Sequence, residues 1–250
     1  MNLPYVIDNR NARLGEVINE LLEDGNIQGL DVATAYFNIH GFDLVKQGMQ
    51  EINSFRMLLG SEPQSGADLG LRIGRDLNQE QFNKDTLLLV GDLIQYLQQD
   101  TVRVRLYNRG FLHAKGYLFF ADRAPFDRFI PVCGIVGSSN FTRGGLELNQ
   151  ELNLTHKTIL SDEEIDDPEA REAVKPLLQS SSDVQELSAK KQIKSEVGSR
   201  AILELLRWYD GVWAEAKEYK QDLIDLLDRS KFGEYEYSPY EIYLKALFEY

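Results

Sequence analysis

The sequence predicts a mixed α/β fold, with a β-sheet flanked by helices and followed by a C-terminal helical region. Two observations lead to this prediction. Within the first 60 residues a helix, a strand, a second helix and a second strand follow one another, which is typical of a sheet with parallel strands. Beyond about residue 100, apolar runs rich in β-branched and aromatic residues predict further strands, before the composition becomes helical.

Each element is predicted from the spacing of its apolar residues. Apolar residues three or four positions apart predict the helices Ala12–Glu23, Phe42–Ile52 and Asn83–Gln99. Runs of β-formers bounded by glycine or polar residues predict the strands Leu30–Phe37, Phe55–Gly60, Val102–Asn108, His113–Phe120, Phe129–Gly137 and Glu151–His156. The polar, glycine-bearing segment Ser61–Arg75 is predicted to be a loop.

The composition changes at about Ser161, where an acidic stretch begins, and we expect a domain boundary there. Residues 1–158 would form the α/β domain, and residues 159–250 a helical linker and appendage. Within the appendage, Val184–Arg229 is rich in helix formers and predicts a helical hairpin. Ser238–Tyr250 predicts an amphipathic helix, and its aromatic residues indicate that a longer protein continues beyond it.

Length and composition exclude several classes of protein. The 250 residues are 43% hydrophobic and 27% charged, so the chain can bury a core and is not disordered as a whole. No apolar stretch reaches the roughly 18–20 residues of a membrane helix, and the N-terminus does not resemble a secretory signal. The single cysteine, Cys133, excludes a disulfide framework and predicts a cytoplasmic location.

Positive charge is concentrated in one part of an acidic chain. The net charge is −13, yet residues 101–150 contain seven Lys or Arg against three Asp or Glu. This basic stretch would suit a polymeric phosphate backbone, and it contains Arg103, Arg105, Arg109, Arg123, Arg128 and Arg143. The alternative is an ordinary fluctuation of charge along the chain.

Of the three histidines, His113 has a lysine two residues away, which suits a nucleophilic role. In a strand, His113 and Lys115 would lie on the same face, two residues apart. An ammonium beside an imidazole disfavours its protonation, which leaves a neutral nitrogen able to attack, and it also attracts anions. His40 is predicted to lie in a turn or on the surface, and His156 at the end of a strand.

Small polar groups follow the strand that ends at Gly137. Ser138, Ser139 and Asn140 can donate hydrogen bonds to phosphate oxygens. Glu151 begins the next predicted strand, where it could accept from a histidine Nδ1. The alternative interpretation is a glycine-rich turn with a helix N-cap at Asn140 and a surface glutamate.

Together these residues resemble the phospholipase D-like, or HKD, superfamily. The family's HxK motif matches His113–Lys115, its GSxN motif matches Gly137–Asn140, and Glu151 matches the downstream glutamate of many nuclease members. The resemblance implies the family's mixed β-sheet flanked by helices. One position departs from the pattern, because Phe120 stands where the family has an aspartate.

The resemblance implies metal-independent phosphodiester cleavage through a phosphohistidine, without a cofactor. The catalytic residues would be His113, Lys115, Ser138, Asn140 and Glu151, and the substrate-binding residues Ser139, Arg109 and Arg143. Because the mechanism needs two motifs and this chain has one, a homodimer with a shared site is expected. DNA endonuclease activity is favoured, with no membrane partner, and the C-terminal segment resembles that of nuclease domains that precede a bacterial helicase.

Three alternatives remain at this point. A degenerate site could bind phosphates or DNA without cleaving them, as a module of a helicase. A phospholipase D-type lipid phosphodiesterase would use the same motif, although such enzymes usually carry it twice in one longer chain. A purely structural dimerisation domain would lose only stability when His113 is replaced.

Overall fold

The computed structural model describes residues 3–23, 25–60, 71–121, 130–157, 186–233, 239–240 and 243. These residues form one eight-stranded sheet with helices on both faces, so the predicted fold class is confirmed. No helix within these ranges is long and apolar enough to cross a membrane.

The first half of the chain builds the parallel part of the sheet. Its elements are β1 (Val6–Ile7), α1 (Leu14–Glu23), β2 (Ile27–Thr34), α2 (Ile39–Gln50), β3 (Ser54–Gly60), α3 (Leu71–Gln79), α4 (Lys84–Gln98) and β4 (Val102–Tyr107). β2, β3 and β4 are neighbours and run parallel, as the alternation of helices and strands predicts. Asn38 and Asn83 cap the N-termini of α2 and α4, because their side chains accept from backbone N–H groups of the first turn.

The second half of the chain adds antiparallel strands, and its last strand pairs with β4 at one edge of the sheet. Its elements are β5 (Gly116–Ala121), β6 (Ile130–Gly137), one π-helical turn (Gly144–Leu148), β7 (Asn153–Lys157), α5 (Glu186–Glu215), β8 (Lys217–Glu218) and α6 (Lys220–Asp228). The strand order is β1-β7-β6-β5-β2-β3-β4-β8. The sheet is therefore mixed: β3 and β4 run parallel to β2 on one side, with the short antiparallel β8 at that edge, and the strands on the other side pair antiparallel.

Two apolar layers cover the two faces of the sheet. Residues of α1, α2, α4 and α6 join one large buried cluster on the first face. On the second face, α5 contributes Ile202, Tyr209 and Trp213 to a smaller cluster with Leu58 and Leu118. The appendage is thus packed against the sheet over α5 to α6, and β8 extends the sheet by pairing with β4.

An ionic cluster fixes α5 to the middle of the sheet. Asp31 on β2 is 3% exposed and accepts two hydrogen bonds from the guanidinium of Arg56 on β3. That guanidinium lies 2.9 Å from Asp210 on α5 and 4.9 Å from the ring centre of Tyr209. Burial raises the pKa of the Asp31 carboxyl, and Arg56 opposes that rise. Because the buried Asp31 carboxylate needs Arg56, and Arg56 also contacts α5, this cluster favours one position of α5 on the sheet.

Three details of the predicted elements are wrong. Part of the predicted loop Ser61–Arg75 is helical, because α3 begins at Leu71. α3 is amphipathic, with Ile73 and Leu77, four positions apart, buried in the core. The predicted helical hairpin is interrupted by β8, and the predicted strand His113–Phe120 begins only at Gly116.

Several predictions lie outside the described residues. They include the boundary at residue 158, the acidic linker, and the basic residues Arg123 and Arg128. Most of the predicted helix Ser238–Tyr250 lies outside them as well.

Candidate active site

Three strands bring the candidate residues to one edge of the sheet. β5 begins at Gly116, and β6, which runs antiparallel to it, ends at Gly137. β7 begins at Asn153 opposite Gly137. The segments that precede β5, follow β6 and precede β7 therefore lie side by side, and they carry all five residues with predicted catalytic roles, His113, Lys115, Ser138, Asn140 and Glu151.

Close backbone contacts explain why a glycine ends β6. A Cβ atom on Gly137 would lie 2.2 Å from the carbonyl oxygen of Leu152 and 2.4 Å from Oδ1 of Asn153. Any larger residue would push β6 and β7 apart at the point where Ser138 and Glu151 emerge. The glycine of the predicted GSxN motif is thus required by packing.

His113 and Lys115 are in contact, although they do not lie on a strand as predicted. The Lys115 Nζ lies 2.8 Å from His113 Nε2 and 2.9 Å from the His113 carbonyl oxygen. The imidazole is exposed, and the ring of Phe111 lies beside it at 5.2 Å between centres. Lys115 is only 5% exposed, so the pair joins an accessible base to a nearly buried cation.

Burial changes the acidity of Lys115. Desolvation lowers the pKa of its ammonium below 10.5, and the negative charge of Glu151 partly opposes this shift. A lysine with a lowered pKa gives up a proton more readily and gains more by meeting an anion. The position of the Lys115 ammonium beside the His113 imidazole therefore suits the binding of a phosphate.

The side-chain oxygen of Asn140 is held by hydrogen bonds, and its amide nitrogen is available to donate one. Its Oδ1 accepts from the backbone N–H of Tyr36 at 3.2 Å and from Thr34 Oγ1 at 3.3 Å. These contacts fix which way the carboxamide faces. Among the described residues Nδ2 has no recorded partner, so it can donate to an oxygen at this edge.

Ser138 and Glu151 are joined to each other. The Ser138 hydroxyl donates to Oε2 of Glu151 and accepts from the backbone N–H of Leu152 at 3.0 Å. Within the described residues, His113 does not form the predicted hydrogen bond from its Nδ1 to Glu151. The other carboxylate oxygen, Oε1, has no hydrogen-bond partner in the described part of the chain.

Ser139 is buried, which does not favour its predicted role in substrate binding. Its side chain is fully buried, and its Oγ accepts from Nδ2 of Asn153 at 2.9 Å. Asn153 Oδ1 accepts from the Ser139 backbone N–H at 3.3 Å, and Tyr117 donates its hydroxyl to the Ser139 carbonyl at 2.9 Å. Ser139 is thus a structural residue that holds the loop carrying Ser138 and Asn140.

Three arginines of the predicted basic stretch are paired with carboxylates of the same chain. Arg105 pairs with Glu218, Arg109 with Glu215 at 3.7 Å, and Arg143 with Glu147 at 3.2 Å. Arg109 and Arg143 remain more than half exposed, so each can still exchange its carboxylate for a phosphate. Arg105 cannot do so easily, because it also packs on Trp213 at 4.9 Å from the ring centre.

The remaining predicted positions are also accounted for. Phe120, which stands where the resemblance expects an aspartate, is buried in the second apolar cluster. His156 is exposed on β7, and His40 lies in the first turn of α2, where it pairs with Glu80 at 2.9 Å. Asn153, Thr34 and Tyr117 were not predicted, because a buried polar residue in a strand carries no distinguishing sequence pattern.

A comparison with family models identifies the class of domain. Residues 77–167 match the family described as "Cardiolipin synthase, PLD-like domain", and this range contains the whole candidate site. The matched range is just over a third of the chain. The match confirms the predicted class of domain and, with it, the predicted class of enzyme, a phosphodiester hydrolase.

Solved structures that match this chain include two bacterial proteins, one of them described as a phospholipase D family member, and a yeast phosphodiesterase. NucT from Helicobacter pylori is 12% identical, with a TM-score of 0.42 over 85% of this chain and 96% of that chain. Nuc from Salmonella typhimurium is 9% identical, with a TM-score of 0.44 over 86% and 95%. Yeast tyrosyl-DNA phosphodiesterase is 10% identical, with a TM-score of 0.33 over 56% and 26%. Comparison with curated protein sequences gives no match.

Proposed function

We propose that this chain is a metal-independent phosphodiesterase that cleaves nucleic acid, with DNA favoured, and that His113 is its nucleophile. The observation that carries the proposal is the 2.8 Å contact between Lys115 Nζ and His113 Nε2 at the edge that also presents Ser138 and Asn140. A nucleophilic nitrogen, a cation and hydrogen-bond donors are what attack on phosphorus requires.

The reaction would proceed in two displacements. In the first, a nitrogen of His113 forms a bond to phosphorus, and the bond from phosphorus to the leaving oxygen breaks. The leaving oxygen takes a proton from a second histidine. In the second displacement that histidine removes a proton from water, whose oxygen attacks phosphorus and releases the His113 nitrogen.

The other residues would act on charge and orientation. Lys115 would leave its contact with His113 and balance the charge on the phosphate oxygens, which frees the imidazole lone pair. Asn140 would donate through Nδ2, since its Oδ1 is already bound to Tyr36 and Thr34. Glu151 would orient an imidazole through its unengaged carboxylate oxygen, while Ser138 holds the other. Arg109 and Arg143 would contact neighbouring phosphates.

The second histidine would come from a second copy of this chain. Neither His40 nor His156 is followed two residues later by lysine, and His40 is already paired with Glu80. A two-fold axis through the edge that carries His113 would bring two such residues together and make one site from two chains. Light scattering would then give about twice the chain mass of 28.6 kDa.

The proposal also covers the longer protein to which the domain would belong and its location in the cell. The resemblance of the C-terminal segment supports a position ahead of a helicase motor in a longer protein, with residues 1–158 as the nuclease part. The lone cysteine, Cys133, is buried, and burial raises the pKa of its thiol to about 12, which suits an inert structural role in a cytoplasmic protein.

A second candidate function is action on a lipid phosphodiester. It is favoured by the family match, whose description names cardiolipin synthase. The same imidazole and cation would serve, since the reacting group is again a phosphodiester. The exposed Phe111 beside His113 is an apolar group that either an acyl chain or a nucleobase could contact.

Cleavage assays in EDTA test the proposal. Labelled single-stranded DNA, double-stranded DNA and cardiolipin vesicles would be incubated with the wild type and with His113→Ala. We expect the wild type to cleave DNA in EDTA and the variant to be inactive. Turnover of cardiolipin alone would establish the second candidate, and DNA binding without any cleavage would establish a phosphate-binding module.

A further inference from the structure

The ring of Phe111 lies beside the imidazole of His113 and not in the core of the protein. The two ring centres are 5.2 Å apart, and the ring planes are inclined at 36°. This separation falls within the range of about 4.5–7 Å in which aromatic rings attract each other. Phe111 is 47% exposed and belongs to neither of the two buried apolar clusters. Packing of the core therefore does not account for an aromatic ring at this position.

The backbone between the two rings is anchored to the sheet. Leu112 is 8% exposed and joins the second apolar cluster. Its carbonyl oxygen lies against the end of β3, where a Cβ atom on Gly60 would be 2.4 Å from it. Because Leu112 is held, Phe111 and His113 extend from a fixed piece of backbone. The contact between their rings then restricts the rotation of the imidazole.

The other groups near the imidazole do not hold it during the proposed attack. Among the described residues, His113 has one further side-chain contact, at 2.8 Å between its Nε2 and Lys115 Nζ. Under the proposed function, Lys115 leaves that contact for the phosphate. Within the same residues Glu151 makes no hydrogen bond to His113 of its own chain, and it accepts from Ser138 instead. The contact with Phe111 is the one that would remain when a phosphate is bound.

We propose that Phe111 is a positioning residue, whose ring holds the His113 imidazole in the orientation for attack while Lys115 moves to the phosphate. An imidazole that rotates freely would direct its lone pair at phosphorus for only part of the time. Loss of the Phe111 ring should therefore lower kcat and leave KM nearly unchanged. This inference rests on the proposed function, because it assigns Phe111 a part in the attack by His113.

Two substrates separate positioning of the imidazole from direct contact with a base. One is an oligonucleotide, and the other an oligomer of abasic deoxyribose phosphates, which has the same backbone without bases. In Phe111→Ala we expect kcat to fall about ten-fold on both, whereas Phe111→Tyr, which keeps a ring, should restore most of it. Phe82→Ala removes another exposed ring, one stacked on Phe232, and as the matched control it should change kcat on neither substrate.

Two kinetic results would overturn the inference. A rise in KM confined to the oligonucleotide would make Phe111 a group that stacks on a base of the substrate. Wild-type kcat in Phe111→Ala would show that the imidazole needs no such support. Light scattering of the same variant gives a third test, since a fall in mass relative to the wild type would assign Phe111 to a contact between chains.

NMR spectroscopy separates this inference from failure of the proposed function. The His113 ring protons, assigned by their absence in His113→Ala, should show nuclear Overhauser effects to the Phe111 ring. These effects should persist in Lys115→Met, which lacks the ammonium that contacts Nε2. Their persistence in a chain that cleaves no DNA would uphold the positioning of the imidazole and refute the nuclease. Their loss in Lys115→Met would refute the positioning role even if the wild type is an active nuclease.

Discussion

The Nζ of Lys115 lies 2.8 Å from Nε2 of His113, so a nearly buried cation contacts an exposed base. The two residues are two positions apart in the segment that precedes β5. A phosphate that draws Lys115 away would free the imidazole at the same moment. Under the proposed function, substrate binding and activation of the nucleophile would be linked in this one contact.

The acidity of Lys115 provides the first prediction. Burial lowers its pKa and Glu151 raises it, so titration of the Lys115 Cε signal by NMR should give a midpoint below 10.5, and a lower one still in Glu151→Gln. Because the unfolded chain keeps its proton to higher pH, the free energy of unfolding should rise with pH between the lowered pKa and 10.5. Lys115→Met should remove that rise; an unchanged slope would contradict the burial of this charge.

Replacement of the nucleophile should abolish activity and leave the fold intact. His113 is exposed, so His113→Ala should change the free energy of unfolding by less than about 0.5 kcal/mol. Its kcat should fall by at least about 1,000-fold. His156→Ala, an exposed histidine on β7, is the matched control and should keep wild-type activity. Equal losses in both variants would show that His113 has no special role.

Asn140 should act through its amide nitrogen. Asn140→Asp keeps the oxygen that accepts from Tyr36 and Thr34 but places a carboxylate where the phosphate would bind. We expect KM to rise about 100-fold, with a change in stability of less than about 1 kcal/mol. Steady-state kinetics together with urea unfolding would separate the two effects. A variant that unfolds while its residual activity keeps the wild-type KM would assign Asn140 a structural role instead.

Ser139 should matter for stability and not for substrate binding. Ser139→Ala removes the acceptor of Asn153 Nδ2, which also donates to the Ile7 carbonyl at 3.2 Å. The free energy of unfolding should fall by about 1 kcal/mol, with kcat/KM within about two-fold of the wild type. Asn153→Ala should cost about 2–3 kcal/mol, since it leaves buried groups of Ser139 without partners. A large rise in KM in Ser139→Ala would restore its predicted role in binding.

The ionic cluster beneath α5 should be sensitive to the loss of its cation. Arg56→Met leaves Asp31 buried and unpaired, which should destabilise the fold by about 3–5 kcal/mol at neutral pH. Burial holds the pKa of Asp31 above that of the unfolded chain, so the loss should deepen as the pH rises and the carboxyl is forced to ionise. Arg13→Met, which breaks an exposed pair with Glu16, should cost less than about 1 kcal/mol in the same urea titrations.

The sequence predicts the site better than it predicts the conformation around it. Strand alternation predicts His113 and Lys115 on one face, and the two side chains are in contact, but on a segment outside the sheet. β5 begins at Gly116 because its partner β2 ends at Thr34, one residue beyond the pairing of Ala33 with Gly116. Where a ladder stops depends on the length of the partner strand, which local propensity does not reveal.

Contacts between residues far apart in the sequence limit what can be predicted about other parts of the fold. The alternating Arg103 and Arg105 suggest two cations facing solvent, yet Arg105 bonds to Glu218 of β8, a strand of two residues more than a hundred positions away. α3 lies in a polar, glycine-bearing part of the sequence, yet Ile73 and Leu77, four positions apart, are buried in the core. By contrast, the helices with strong apolar spacing, α1 and α4, are predicted to within about two residues at each end.

The central claim is that a nitrogen of His113 forms a covalent bond to phosphorus. The most direct test is mass spectrometry of the chain after brief reaction with an oligonucleotide in EDTA, quenched in alkali because phosphorus–nitrogen bonds are labile to acid. We expect a nucleotide adduct on the peptide that contains His113, and none in His113→Ala. DNA cleavage without any adduct, or an adduct that persists in the variant, would contradict the account.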